Sequence, residues 1–400
     1  MINLIWCVFI YLLGNFHLAD DFRYAFICEW YEELAARTRT FQFFYYSGSK
    51  SIEMFDVKTR KMFLKTNLAS TPIELQDLYI GASINVLGRQ LTIVDFGDEF
   101  TKRKLMSKLE RTLGYIKPDA VERMGEVISA IYDRGLAISK MRLCKLNQND
   151  AFRFYQEHAG KSFMQDLMNY VTSGPILAME LVGDNAVLRW RELIGPTDPA
   201  KARSEAASSL RARFGRDVTH NAVHGSDSPA SAAREVEFFF PSCAKQTFTN
   251  CVAAAGCTLC VIKPHAVKAG LAGKIISAIQ DQGFLINTIQ LFNIEKANAE
   301  EFYEVYKGVV HEYPGMVNEL TAGPVIGMEI LAKSKTGHLV EEFREFCGPM
   351  DPEIARHLRP RTLRAIYGLN KIQNAVHCTD LPDDGPLEVE YFFKVLDRSA

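Results

Sequence analysis

Between Asp20 and about Lys108 the chain alternates apolar and polar positions with a period of two. The segments FRYAFICEW, TFQFFYY, SIEMFDV, RKMFLK and SINVLGRQLTIVDF are aromatic and β-branched. Turn residues such as Ser47-Gly48-Ser49-Lys50 separate them, so the pattern predicts a small β-rich domain over 20–108. From Leu109 the period changes. RTLGYIKP reads as a strand, and GEVISAIYDRG follows with Val127, Ile128 and Ile131 at helical spacing and Gly135 as a stop. AISKMRLCKL is a second strand, AFRFYQEHAG and SFMQDLMNYV are helical, and ILAMELVG is a third strand after Ser173-Gly174-Pro175. NAVHGSDSPASAAREVEFFF then closes the unit, its aromatic end reading as a strand over Glu237–Phe240.

The whole order returns. CTLCVIKPHAV, GKIISAIQDQG, FLINTIQLFNI, EEFYEVYKG, TAGPVIGMEI, GPMDP and NAVH repeat it, and NAVHCTDLPDDGPLEVEYFF restates the closing stretch. Self-similarity over so long a period means duplication of a domain rather than a solenoid. The fold class predicted is α+β: two βαββαβ units over 109–240 and 257–395, joined by a linker over 241–256 and preceded by the β-rich domain.

Composition narrows the classes. Hydrophobic residues at 48% against 24% charged are those of a globular chain, and a formal net charge of -2 leaves no basic excess for nucleic acid or an anionic membrane. Any phosphate chemistry is therefore local. The nine cysteines are odd in number and scattered, which fits a reducing compartment. Cys257 and Cys260 form a C-x-x-C with no second pair or histidine cluster beside it, so two cysteines in an apolar strand is the better reading than a metal site.

The first nineteen residues, MINLIWCVFIYLLGNFHLA, form an uncharged apolar leader. It lacks the basic start of a signal peptide and is short for a bilayer span. A buried strand or a mis-joined start of the reading frame fits it better than secretion or anchoring.

The polar residues common to both units form a short inventory. The first unit has Lys117, Arg191, Arg211, Asn221, His224, Ser226, Asp227 and Glu235; the second has Lys263, Arg344, Arg364, Asn374, His377, Thr379, Asp380 and Glu388. One Lys, two Arg and one Asn around a histidine suit phosphate handling, with cations to neutralise charge and an imidazole to attack or deprotonate. Pro follows both lysines and fixes the turn beside each. No Gly-rich Walker loop is present.

Ile116-Lys117-Pro118-Asp119, Ser173-Gly174-Pro175, Gly195-Pro196-Thr197-Asp198-Pro199 and Asn221-Ala222-Val223-His224-Gly225-Ser226-Asp227, in this order, resemble the successive signatures of nucleoside diphosphate kinases. The resemblance covers 109–240 and, more weakly, 257–393, and it implies ferredoxin-like units. It further implies that His224 takes the γ-phosphate of a nucleoside triphosphate as phosphohistidine and passes it to a nucleoside diphosphate. Glu235 and Ser226 would orient the imidazole, Lys117 would meet the transferring phosphate, and Arg191, Thr197 and Arg211 would clamp the β and γ groups. Tyr155 would help position the phosphohistidine, Asn221 would meet the ribose, and Phe163 with Leu167 would sandwich the base. Mg²⁺ would arrive on the nucleotide phosphates, with no protein metal site.

In the second unit Lys263, Arg344, Arg364, Asn374, His377, Thr379 and Glu388 stand as counterparts. Met350 replaces Thr197, and Cys378 replaces Gly225, where the backbone is expected to need glycine dihedrals. One extra residue between Tyr303 and Gly323 leaves Tyr313 and Met316 as the base-clamp counterparts. The second unit is accordingly expected to be impaired or regulatory.

The first unit is expected to be active, although the stretch AKARSEAASS is longer than the family's usual loop and His220 stands where an arginine is common, departures that could lower its rate. The β-rich domain, through FLKTN, SIEMFDV and INVLGRQLTIVDFGD, resembles the DM-ten type. This three-part order is similar to family members linked to cilia and centrosomes, implying a cytoplasmic, cytoskeletal location at the centrosome or ciliary axoneme. A competing reading is a scaffold on microtubules or a γ-tubulin complex with little catalysis. The fused pair of units also points to an internal pseudo-dimer and a monomeric chain.

Overall fold

The computed structural model describes residues 22–32, 35, 37–67, 73–106, 110–241, 256–332 and 338–398; the apolar leader and most of the linker lie outside them. The chain divides into two compact units, 1–107 and 108–400.

The first is built on six strands: β1 (Arg23–Glu32), β2 (Arg37–Tyr46), β3 (Ser51–Asp56), β4 (Lys61–Asn67), β5 (Ser83–Val86) and β6 (Arg89–Phe96). They form one antiparallel sheet in the order β4-β3-β2-β1-β6-β5. Alternate residues enter its core, among them Phe26, Phe41, Phe43, Ile52 and Met54, as the period-two pattern requires. A helix, Glu99–Met106, follows β6. Its buried Thr101 accepts the backbone N–H of Ala25 at 2.8 Å.

The second compact unit holds both repeats. Its strands are β7 (Glu110–Ile116), β8 (Ala137–Cys144), β9 (Ile176–Gly183), β10 (Val223–Gly225), β11 (Cys257–Ile262), β12 (Leu285–Asn293), β13 (Pro324–Leu331) and β14 (Val376–Cys378). They make one antiparallel sheet of eight in the order β10-β7-β9-β8-β12-β13-β11-β14. Each repeat supplies four strands in the same internal order, with the short histidine-bearing strand at the outer edge. The repeats join where β8 meets β12, at the pair Arg142 and Gln290. Arg142 is buried, and it donates Nε to Gln290 Oε1 at 3.0 Å and Nη2 to Asp397, so its charge is compensated inside the sheet.

Behind that junction two amphipathic helices cross, Met124–Asp133 with Val127, Ile128 and Ile131 buried, and Ala272–Asp281 with Ile275, Ile276 and Ile279 buried. Glycine sets the crossing distance. A Cβ on Gly125 would stand 2.3 Å from the backbone N of Ser277, and a Cβ on Gly273 would stand 2.3 Å from the backbone N of Ser129. The contact is reciprocal, as in a two-fold interface.

The aromatic ends of the repeats are helices. Pro229–Phe239 begins with Ser228 as N-cap, exchanging hydrogen bonds with Ser231, and with Pro229 in its first turn. Ala232, Val236 and Phe239 face the core at spacings of four and three. In the second repeat Asp384–Glu390 is helical and Tyr391–Val395 continues as a π-turn. The aromatic content suggested a strand, but the capping box and helical spacing decide the local structure.

Candidate active site

His224 lies on β10, opposite Tyr115 of β7. Its imidazole stacks on the Tyr115 ring at 4.8 Å between centroids, and Phe154 meets it edge-on at 5.3 Å. Nε2 is 2.8 Å from Oε2 of Glu235, and the same carboxylate oxygen accepts Ser226 Oγ–H at 2.8 Å. Both Ser226 and Glu235 are buried. Trp190 Nε1 donates to the His224 carbonyl at 3.1 Å, pinning the strand beneath the ring. Nε2 is thus committed, and among the described residues nothing bonds Nδ1.

Lys117 follows β7 and caps a 3₁₀ turn that starts at Pro118. Its N–H reaches the Ala222 carbonyl at 2.8 Å, tying it to the residue two before the histidine. Nζ donates to Asn221 Oδ1 at 2.7 Å and to the Thr219 carbonyl at 3.2 Å. Burial, reinforced by the nearby Arg211 charge, pushes the Lys117 ammonium pKa down to about 7. Asn221 Nδ2 donates to the carbonyls of Thr197 and Val218, so its amide binds Lys117 and two loops together.

Arg211 is also buried; it donates Nη1 to the Gly195 carbonyl at 2.8 Å and Nη2 to the Val223 carbonyl at 3.1 Å. Its Nε–H has no partner among the described residues, and burial with the neighbouring Arg191 lowers its pKa to about 10. A buried guanidinium with an orphaned donor favours an anion. Arg191 and Thr197 are exposed. Tyr155 is buried with its hydroxyl on that of Tyr115, Leu167 belongs to the core, and Phe163 is 45% exposed at the start of the helix Met164–Val171.

The structure therefore gathers His224, Glu235, Ser226, Lys117, Asn221 and Arg211, with Arg191, Thr197 and Phe163 on exposed positions of neighbouring elements. Tyr115 and Trp190 complete the histidine's surroundings and were not singled out from sequence. Gly114 pairs with Gly225, and a Cβ on either would meet the Trp190 ring, a juxtaposition that no local stretch of sequence marks.

The model of the nucleoside diphosphate kinase family matches residues 110–244 and again 256–397. The chain belongs to the nucleoside diphosphate kinase family. Nucleoside diphosphate kinase homolog 7 of Rattus norvegicus is 51% identical over 376 residues, 94% of each chain. The protein so named in Mus musculus is 50% identical over the same shares. Among solved structures, the nucleoside diphosphate kinase of Aquifex aeolicus is 40% identical over 34% of this chain and 96% of its own, with a TM-score of 0.33.

Within this kinase-family chain the second repeat keeps the histidine relay: His377 Nε2 is 3.0 Å from Glu388 Oε2, which also accepts Thr379 Oγ1–H at 2.9 Å. The cations around it are engaged by protein groups. Arg344 is ion-paired with Asp380, whose other oxygen accepts the Tyr306 hydroxyl. Arg364 donates to the carbonyls of Gly348 and Val376 and to Cys378 Sγ, while Lys263 Nζ reaches the Ile372 carbonyl at 3.0 Å. Asn374 Nδ2 donates to the Met350 carbonyl, but its buried Oδ1 has no partner among the described residues, so the bond that ties Asn221 to Lys117 is missing here.

Glu312 holds the N-cap place that Phe163 holds in the first repeat, so Tyr313 starts the helix instead of replacing Phe163. Glu312 pairs with Lys371 at 3.8 Å, and Lys371 also reaches Asp351 at 3.8 Å. The His377 side chain is 7% exposed against 20% for His224.

Cys378 has a different cause from the one expected. Gly225 has no positive φ, so dihedral freedom is not what selects glycine there. A Cβ at Gly225 would stand 2.4 Å from Trp190 Nε1, and one at Gly114 2.8 Å from Trp190 Cε2. In the second repeat Phe343 takes the place of Trp190, and Cys260 pairs with Cys378 where two glycines paired. A smaller ring and two thiols fill the volume of a larger ring and two glycines.

Proposed function

We propose that the first repeat transfers the γ-phosphate of a nucleoside triphosphate to a nucleoside diphosphate by a ping-pong route through His224. The observation that carries the reading is the relay from Ser226 and Glu235 to Nε2, on a segment whose Ala222 and Val223 carbonyls accept from Lys117 and Arg211. Neutral His224, with its proton on Nε2 held by Glu235, attacks the γ-phosphorus through the Nδ1 lone pair. The N–P bond forms as the bond to the β,γ-bridging oxygen breaks, and the diphosphate leaves. Positive charge developing on the ring is met by the Glu235 carboxylate. A second diphosphate then takes the phosphoryl group by the reverse displacement.

Among the described residues no group of three His, Cys, Asp or Glu is arranged to hold a metal. The cationic set of Lys117, Arg191 and Arg211 suits phosphate oxygens, on which Mg²⁺ would arrive and would neutralise charge on the transferring group.

The second repeat is read as impaired. Arg344 is ion-paired with Asp380, Asn374 Oδ1 does not reach Lys263, and Glu312 holds the Phe163 position in an ion pair with Lys371. The continuous β8–β12 sheet and the reciprocal glycine crossing support a chain that is its own pseudo-dimer and a monomer in solution; light scattering at the mass of a hexamer would oppose this.

Initial rates with ATP and a diphosphate acceptor test the main proposal. Parallel double-reciprocal lines, abolished in His224→Ala and retained in His377→Ala, are expected. Intersecting lines, or rates unchanged in His224→Ala, would refute it.

A further inference from the structure

Resting on the kinase reading above, we infer that Tyr115 is a positioning residue for phosphoryl transfer, its ring setting the plane of the His224 imidazole. The two residues are direct cross-strand partners, one on β7 and the other on the three-residue edge strand β10. Such partners stand on the same face of a sheet with their side chains in contact. Here the rings lie 4.8 Å apart between centroids and 19° from parallel. Tyr115 is fully buried and its hydroxyl is hydrogen-bonded to that of Tyr155, so the ring beneath the imidazole is itself held.

The imidazole needs that floor because its hydrogen bond fixes the ring plane only weakly. Glu235 holds Nε2, which lies close to the Cβ–Cγ axis about which the ring turns. Rotation about that axis moves Nδ1 further than Nε2, and the torsion has no sharp intrinsic preference. The Nδ1 lone pair points along the ring plane, so the plane decides whether attack on the γ-phosphorus is in line. A flat ring face against the imidazole limits the tilt that the hydrogen bond allows.

The second repeat has the same surroundings without the floor. Val261 is the cross-strand partner of His377. The other neighbours persist: Phe302 meets His377 edge-on at 5.0 Å, as Phe154 meets His224. The Tyr303 ring stands 6.0 Å from His377, against 6.1 Å between Tyr155 and His224. Of these three rings, the one stacked on the imidazole face is missing. With no phenol at 261, the buried Tyr303 hydroxyl has no partner among the described residues.

Steady-state rates of the full chain with ATP and GDP, with thermal unfolding as the check of fold, test the assignment on Tyr115→Phe, Tyr115→Leu and Tyr115→Met. Leucine and methionine refill buried volume without a flat face, and methionine adapts to an irregular space should the leucine variant not fold. In the folded non-aromatic variants kcat is expected to fall about tenfold with KM changed by less than about twofold, because a tilted nucleophile slows the chemistry without loosening the phosphate cations. Tyr115→Phe keeps the ring face and gives up the hydroxyl, and it is expected to retain at least about half of the wild-type kcat. A wild-type kcat in a folded non-aromatic variant, a loss carried by KM alone, or a Tyr115→Phe as slow as the other two overturns the positioning role and leaves the kinase reading intact. No turnover by wild type overturns both.

Discussion

Nucleotide binding to the first repeat should draw a proton from solution. In the free protein burial and Arg211 hold the Lys117 pKa at about 7, with Asp119 and Asp217 opposing part of the depression. Phosphates placed at Nζ reverse the balance and favour the ammonium form. At pH 8 the free lysine is about 0.1 protonated and the bound one close to fully so, giving an uptake of about 0.9 proton; at pH 6 the uptake falls to about 0.1. The dissociation constant should weaken about fivefold from pH 7 to pH 8. A nucleotide's own terminal phosphate, with a second pKa of about 6, is fully ionised at pH 8 and contributes little there.

Calorimetry of GDP binding at pH 8 in buffers of differing ionisation enthalpy reads the proton number directly. Lys117→Met should bring it near zero. An uptake below about 0.2 in wild type, or one unchanged in Lys117→Met, would refute the placement of phosphate at Nζ. The same depressed pKa has a consequence without ligand. Lys117 and Lys263, both held at about 7, keep fewer protons in the folded chain than in the unfolded one, so apo stability should rise with pH from about 7 to about 8.5, above which the buried thiols of Cys28, Cys257, Cys260 and Cys347, with raised pKa, work the other way.

Two further expectations concern packing. Gly225→Cys places a side chain against Trp190 and should cost about 2 kcal/mol in urea unfolding, most of it recovered when Trp190→Phe is added; additive costs would remove the volume-trade explanation of Cys378. Gly125→Val and Gly273→Val should each destabilise by about 3 kcal/mol and to a similar degree, because each meets a backbone N on the other helix; a clear effect from only one would contradict the reciprocal crossing.

The periodic segments of the sequence became strands and helices because their patterns reflect one buried face, as in Val127, Ile128 and Ile131. The Lys-Pro and Asn-x-x-His stretches were legible because each concentrates its chemistry within a few residues. Less legible were features made by residues far apart in the chain. Trp190 over Gly114 and Gly225, Lys371 bridging Glu312 and Asp351, and Arg344 on Asp380 each join segments whose separation only the fold closes. The closing helices were misread for another reason. Glu237 to Phe240 has the aromatic content of a strand, whereas the deciding signal lay upstream in Ser228, Pro229 and Ser231.

Labelling with γ-³²P-ATP and Mg²⁺, followed by assay of acid-labile phosphate and a GDP chase, tests the central claim most directly. The account predicts label on wild type and on His377→Ala, none on His224→Ala, and its quantitative release to GDP. Folded wild-type protein that takes no label, or label that survives in His224→Ala, would contradict it.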